Sequence, residues 1–283
     1  MPMNSAPPSP DPGQVPRRLI DQNALRLHRA RARRIGPAEP LHRIAIDEVQ
    51  DRLAEINRDF TRVGIVTPWP EFWITAFPSA HVCPDDEMLD LPQDLDLVIH
   101  AMGLHWAEDP VGQIVQSARA LRADGLFIGV MLGGETLTEL RDVLTRAEIA
   151  ATGGLSPRLM PMGEIRDLGA LLGRAGLALP VADHLPLRFS YRDLFHLTAD
   201  LRAMGETNAL NDRLRQSTRR ELFAHAAADY SMRFPDPADP ARIIATFDMI
   251  FLTGWAPDAG QQKPMRPGSA SMPLAEALKP RTA

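Results

Sequence analysis

The chain has 283 residues, of which 45% are hydrophobic and 24% charged, and its formal net charge is −5. This composition predicts a sizeable core in one large domain or two small ones, and it gives no reason to expect a nucleic-acid partner. No apolar run is long enough for a membrane-spanning helix. The single cysteine, Cys83, excludes an internal disulfide and any multi-cysteine metal centre and favours a reducing compartment. No metal site is predicted, because the neighbouring His100 and His105 lack a third ligand.

Positive charge is concentrated at the start of the chain. Residues 1–43 contain eight arginines and three acidic residues, a net charge of +5 that leaves −10 for the remainder. Residues 1–18 are rich in proline and serine and are predicted to be a disordered tail. Residues 19–43 are predicted to be a basic helical segment that docks an acidic partner or an anionic surface. The docking side chains would be Arg26, Arg29, Arg31, Arg33 and Arg34. A solvated helix packed on the body, or a targeting presequence, are the alternatives.

The body, residues 44–256, alternates helical and strand patterns. Helices are predicted at 44–60, 110–121, 136–151, 164–175, 191–204 and 211–228. Strands are predicted at 62–66, 73–77, 95–100, 126–132 and 245–254. Two apolar strands joined by a helix favour a buried parallel sheet. The order therefore predicts a doubly wound α/β domain, mostly parallel, with helices on both faces, an antiparallel C-terminal hairpin, and an extended tail at 257–283.

The turn after the first strand lacks the glycines that a nucleotide site needs. In doubly wound sheets the ligand lies at the switch point beyond the carboxyl ends of the strands, where glycine lets the backbone approach it closely. Here the strand continues as Thr67, Pro68, Trp69 and Pro70. The prolines remove backbone donors and fix φ, and the tryptophan fills space.

Several blocks of this chain resemble the family of NADH dehydrogenase (complex I) assembly factor 5, which is related to the methyltransferases of biotin synthesis. The blocks lie at 19–34, 95–141, 153–158, 167–177, 191, 200–208, 252–255, 262–264 and 267–270. The resemblance implies a class I methyltransferase (Rossmann-like) fold and S-adenosylmethionine as cofactor. It also implies modification of a complex I subunit by methyl transfer or another arginine reaction, and subunits of the peripheral arm as partners. The location would be the cytoplasmic side of a bacterial membrane, or the mitochondrial matrix in a eukaryote.

The chain departs from this family at the cofactor site. The three glycines of the family's turn align with Val66, Pro68 and Pro70, and its aspartate aligns with Gly64. The acidic residue expected after the second predicted strand is replaced by Phe77.

The remaining candidate site residues follow from the same blocks. If S-adenosylmethionine binds, Asp85, Asp86 and His100 are the predicted contacts, although three acids after a proline also fit a solvated loop. The candidate catalytic residues are His105, Tyr191 and Glu206, and a satisfied structural network is the alternative for each.

Two functions from different classes are consistent with this sequence. The first is a methyltransferase or arginine-modifying enzyme, which needs a cofactor pocket. The second is an assembly or accessory partner of complex I that keeps the fold with a degenerate cofactor site, a pseudoenzyme. The Pro68-Trp69-Pro70 turn favours the second.

Overall fold

A computed structural model of the chain describes residues 18–261. Most of the predicted N-terminal tail, most of the predicted C-terminal tail and the blocks at 262–264 and 267–270 lie outside these residues. Neither tail prediction is therefore tested by the structure.

The described residues form eight α-helices. They are α1 (Gln22–Ile35), α2 (Pro40–Glu55), α3 (Pro70–Ala76), α4 (Pro110–Ala120), α5 (Thr138–Thr152), α6 (Ile165–Arg174), α7 (Leu194–Met204) and α8 (Arg220–Arg233). Capping residues fix where three helices begin. Asp21, Asp109 and Asp193 precede α1, α4 and α7 respectively, and each side chain accepts a hydrogen bond from a backbone N–H in the first turn of its helix. None of the helices described is long and apolar enough to cross a membrane.

The strands of the described chain form one seven-stranded sheet. They are β1 (Val63–Val66), β2 (His81–Cys83), β3 (Leu95–Ala101), β4 (Leu121–Gly133), β5 (Ala178–Tyr191), β6 (Pro235–Asp236) and β7 (Asp239–Trp255). The order is β2-β1-β3-β4-β7-β5, with β6 paired to β7. Strands β1 to β4 run parallel, and β7 lies antiparallel to both β4 and β5. The predicted Rossmann-like class I methyltransferase fold, with a mostly parallel sheet and an antiparallel strand pair, is confirmed.

Helices cover both faces of the sheet. On one face α2, α5, α7 and α8 pack with side chains such as Ile65 and Ile99, and on the other α4 and α6 pack with Val98 and Phe127. Strand β3 is buried along its whole length, because a parallel strand between two helical layers exposes neither face.

Three sequence predictions require correction. Residues 73–76 belong to helix α3 and Phe77 caps its C-terminus, so the strand predicted at 73–77 is wrong. Tyr191 ends strand β5 and does not begin a helix, and β5 itself was not predicted. The helix predicted at 211–228 begins only at Arg220, because the backbone N–H and carboxamide of Asn211 bind carbonyl groups of residues 18–20 in the strap before α1.

Candidate functional site

The switch point of the sheet lies between β1 and β3. Strand β2 is the neighbour of β1 on one side and β3 on the other, so the chain winds outward in both directions from this point. In open α/β sheets this crevice beyond the carboxyl ends is where ligands bind. The second strand in chain order is His81–Cys83, so the first acidic residue after it is Asp85, and the expectation that Phe77 replaces this acid is wrong.

The turn after β1 is filled by Trp69. This indole is 2% exposed, and its backbone N–H donates to the Thr67 hydroxyl at 3.2 Å. The Arg33 guanidinium lies 4.8 Å from the centre of the indole ring and donates to the Pro68 carbonyl. The turn after β1 thus carries a buried aromatic side chain where the resemblance implies glycines.

Arg29 of α1 binds Asp85 directly above this turn. Its two terminal nitrogens lie 2.9 Å from the two carboxylate oxygens, a bidentate pair with side chains 13% and 9% exposed. The carboxylate also lies against Gly103, where an added Cβ would be 2.8 Å from Oδ2. Asp85 is thus not a solvated loop residue, because each of its carboxylate oxygens accepts a hydrogen bond from Arg29 and its side chain is only 9% exposed.

The other two predicted cofactor contacts are held differently. His100 is fully buried at the end of β3, and its Nε2 lies 2.5 Å from the Gln113 side-chain oxygen. Burial lowers the pKa of this imidazole to about 4, so it is neutral at physiological pH. Asp86 is exposed and contributes only its carbonyl, which accepts from Gln113 at 3.0 Å.

The structure brings His105 and Glu206 together. His105 Nε2 lies 3.2 Å from Glu206 Oε2, which also accepts from Trp106 Nε1 at 2.7 Å. Burial alone would raise the pKa of Glu206, but the nearby His105, the Trp106 bond and Arg29 together hold it below its ordinary value. Glu206 is therefore an ionised carboxylate at the crevice, and one ring nitrogen of His105, Nδ1, is buried without a hydrogen-bond partner.

Tyr191 is not part of this cluster. Its hydroxyl donates to Asp200 at 2.8 Å, and burial raises its pKa, so its contacts are those of a structural tyrosine between β5 and α7.

A cavity of about 360 Å³ adjoins Glu206 and Trp106. Its walls are mainly apolar, and they come chiefly from α5 and the residues before it, from α7 and α8, from strand β7 and from the segment 158–162. The walls include Leu137, Leu140, Leu201, Phe223 and Phe247. Within residues 18–261, no group of three or more His, Cys, Asp or Glu side chains is arranged to hold a metal ion.

Gly205 was not singled out by the sequence, yet it sets the packing of the crevice. Its φ is +80°, and an added Cβ would lie 2.9 Å from Trp69 Cζ2 and 3.3 Å from Arg29 Cγ. The only sequence signal was its position beside Glu206 in the block at 200–208. Of the predicted docking arginines, only Arg29 is largely buried, and Arg26, Arg31, Arg33 and Arg34 are exposed; Arg33 nevertheless contacts Trp69 and the Pro68 carbonyl.

Comparison with known proteins supports the resemblance found in the sequence. The protein named "Arginine-hydroxylase NDUFAF5, mitochondrial" of Danio rerio is 35% identical over 203 residues, which are 71% of this chain and 62% of that protein. The chain therefore spans less than two thirds of that relative. The Rickettsia prowazekii protein named "Putative methyltransferase RP459" is 30% identical over 56% of this chain and 72% of its own length.

Among solved structures, the YcgJ protein of Bacillus subtilis aligns with 76% of this chain and 99% of its own, at 13% identity and a TM-score of 0.45. No protein-family model matches the chain. The two relatives establish that the chain belongs to a methyltransferase-like family, which the Rickettsia protein shows over 72% of its length and to which proteins named NDUFAF5 are also similar.

Proposed function

We propose that this chain is an assembly or accessory partner of respiratory complex I, and that its methyltransferase fold has lost the S-adenosylmethionine site. The observation that carries the proposal is the bidentate Arg29–Asp85 pair above a buried Trp69. Both features lie in the crevice where the fold would hold the cofactor.

The residues present do not fit that cofactor. A ligand that bound Asp85 would have to fit beside the Arg29 guanidinium, which already pairs with both oxygens of a carboxylate that is only 9% exposed. A ligand at the turn would have to displace Trp69, which is 2% exposed. Pro68 and Pro70 offer it no backbone N–H groups.

A binding role uses parts of the molecule that remain intact. The fold is complete around the crevice, and the relatives named NDUFAF5 support a place among complex I assembly factors. The exposed arginines Arg26, Arg31 and Arg34 lie on the outer side of α1, where a subunit of the peripheral arm can reach them.

Genetic complementation tests this function. Deleting the gene is expected to lower the amount of assembled complex I, and the wild-type chain is expected to restore it. The double variant Arg29→Met/Asp85→Leu, which keeps the crevice closed with apolar side chains, is expected to restore it equally. A double variant that folds like the wild type but fails to restore complex I would contradict the proposal, because it would show that Asp85 does chemistry or binds a cofactor.

A second candidate function is the binding of an arginine side chain for modification. It is favoured by the ionised Glu206 at the wall of the 360 Å³ cavity, and the relative from Danio rerio is named an arginine-hydroxylase. N-acetylarginine amide is then expected to bind the wild-type chain and to bind Glu206→Gln more weakly. Equal binding to both would reject this candidate.

A further inference from the structure

Helix α1 has two faces with different surroundings. Ala24, Leu25 and Ala32 are buried against the body, and Arg29 points into the crevice from the same side. This face anchors the helix, so α1 is a fixed part of the surface and not a free arm.

The opposite face has an unusual composition. Leu27 is 67% and Ile35 is 59% exposed, and Arg31 and Arg34 are exposed between them. These four residues stand at positions i, i+4, i+7 and i+8, which is the spacing of one continuous stripe along a helix. We call Leu27, Arg31, Arg34 and Ile35 the outer stripe.

The positive charge of the outer stripe is not neutralised by the rest of the described chain. Helix α1 contains no acidic residue. Asp85 pairs with Arg29, and Glu71 lies 3.5 Å from Arg33. Within residues 18–261, no carboxylate lies within ion-pair distance of Arg31 or Arg34, and the flanking Arg26 bonds only to the neutral Asn23. A cationic field thus remains on a chain whose net charge is −5.

We propose that the outer stripe is a docking surface for an acidic segment of a protein partner, whose carboxylates face Arg31 and Arg34 and whose aliphatic side chains cover Leu27 and Ile35. This inference rests on the proposed function, because that function identifies the peripheral arm of complex I as the source of the partner. It narrows the contact to the outer stripe and removes Arg29 and Arg33 from it, because both turn toward the crevice.

The arrangement fits a protein better than a lipid surface. A helix that binds a membrane buries a continuous apolar face in the headgroup region. The apolar face of α1 already packs on the body. Its outer side offers two aliphatic residues separated by guanidinium groups, and such a pattern matches the side-chain spacing of a peptide or helix.

The test is the binding of the purified peripheral arm to the full chain. Arg31→Glu/Arg34→Glu is expected to weaken binding at least about tenfold, and Leu27→Asp is expected to weaken it as well. Arg166→Glu/Arg174→Glu is the matched control, since it reverses two exposed arginines on α6 and changes the net charge equally. The control is expected to bind like the wild type, and wild-type binding should weaken as salt is raised.

The outcomes separate this inference from the function on which it rests. If the wild type binds the arm and the outer-stripe variants bind equally well, the docking surface is wrong but the proposed function survives. If the wild type does not bind the arm, both fail. Binding to phosphatidylglycerol vesicles that is lost in Arg31→Glu/Arg34→Glu, with binding to the arm unchanged, would assign the stripe to a membrane and overturn the inference.

Discussion

Removing the carboxylate of Asp85 is the sharpest perturbation of the Arg29–Asp85 pair. In Asp85→Ala, Arg29 loses both of its 2.9 Å hydrogen bonds while it stays 13% exposed. Removing one partner of a buried ion pair costs about 3–5 kcal/mol, because the other charge is left uncompensated. We expect the lower end, about 3 kcal/mol, since the pair keeps some contact with solvent. In a chain of this size this corresponds to a fall in melting temperature of roughly 6–12 °C.

Urea unfolding followed by circular dichroism, with linear extrapolation, measures the effect. The double variant Arg29→Met/Asp85→Leu is expected to lie within about 1 kcal/mol of the wild type, because apolar replacement of a buried pair is often neutral. Asp86→Ala is the control. This neighbouring carboxylate is exposed, so its loss should change the free energy of unfolding by less than about 0.5 kcal/mol.

Two results would refute the reasoning. Asp85→Ala with the stability of Asp86→Ala would mean that Arg29 finds water and that α1 does not close the crevice. A double variant no more stable than Asp85→Ala would mean that the two side chains are not coupled.

Three further predictions concern residues near and away from the crevice. Gly205→Ala should destabilise the fold by about 1–3 kcal/mol more than Gly153→Ala in urea unfolding, because both have positive φ but only Gly205 lies against Trp69; equal effects would contradict the close approach. The Arg158 and Ser156 hydrogen bonds outweigh burial and lower the pKa of Glu148 to about 2, so it contributes stability above pH 4.5, on the order of 3 kcal/mol, that is lost as the pH falls toward 2. The stability difference between wild type and Glu148→Gln should shrink over that range, and a constant difference would argue against it. Burial raises the pKa of Cys83 to about 11, so its thiol should react with Ellman's reagent far more slowly in the native protein than in urea, and equal rates would show it to be accessible.

The parts of the fold that sequence predicts well are those with an unambiguous local pattern. Strand β3 is a short, mostly apolar segment after a turn, as expected for a strand buried on both faces. Residues 73–77 were misread because tryptophan, isoleucine, threonine and phenylalanine all favour strands. In the structure Trp73 and Phe77 stack with their ring centroids 6.3 Å apart, a contact between residues i and i+4 on one side of a helix.

Strand β5 escaped prediction for a different reason. Pro180 and Pro186 interrupt its pattern, and proline in a strand is tolerated at a sheet edge. The edge position of β5 follows from its pairing with β7 alone among the long strands, which local sequence does not reveal.

In the candidate site, too, some features are visible in the local sequence and others appear only in the folded chain. The absence of glycines at Pro68 and Pro70 is visible in the sequence, and it led directly to the expectation of a degenerate site. The inward turn of Arg29 is not visible, because it depends on Asp85, 56 residues away. The contact between Gly205 and Trp69 likewise joins distant segments, so only the folded chain reveals how the crevice is filled.

Calorimetric titration of the purified chain with S-adenosylmethionine and S-adenosylhomocysteine tests the central claim most directly. An active class I methyltransferase in the same buffer serves as the positive control. With Arg29 bound to Asp85 and Trp69 in the turn, the account predicts no saturable heat at millimolar ligand. Saturable binding in the micromolar range would contradict it, because the cofactor would then enter a crevice that these side chains are proposed to close.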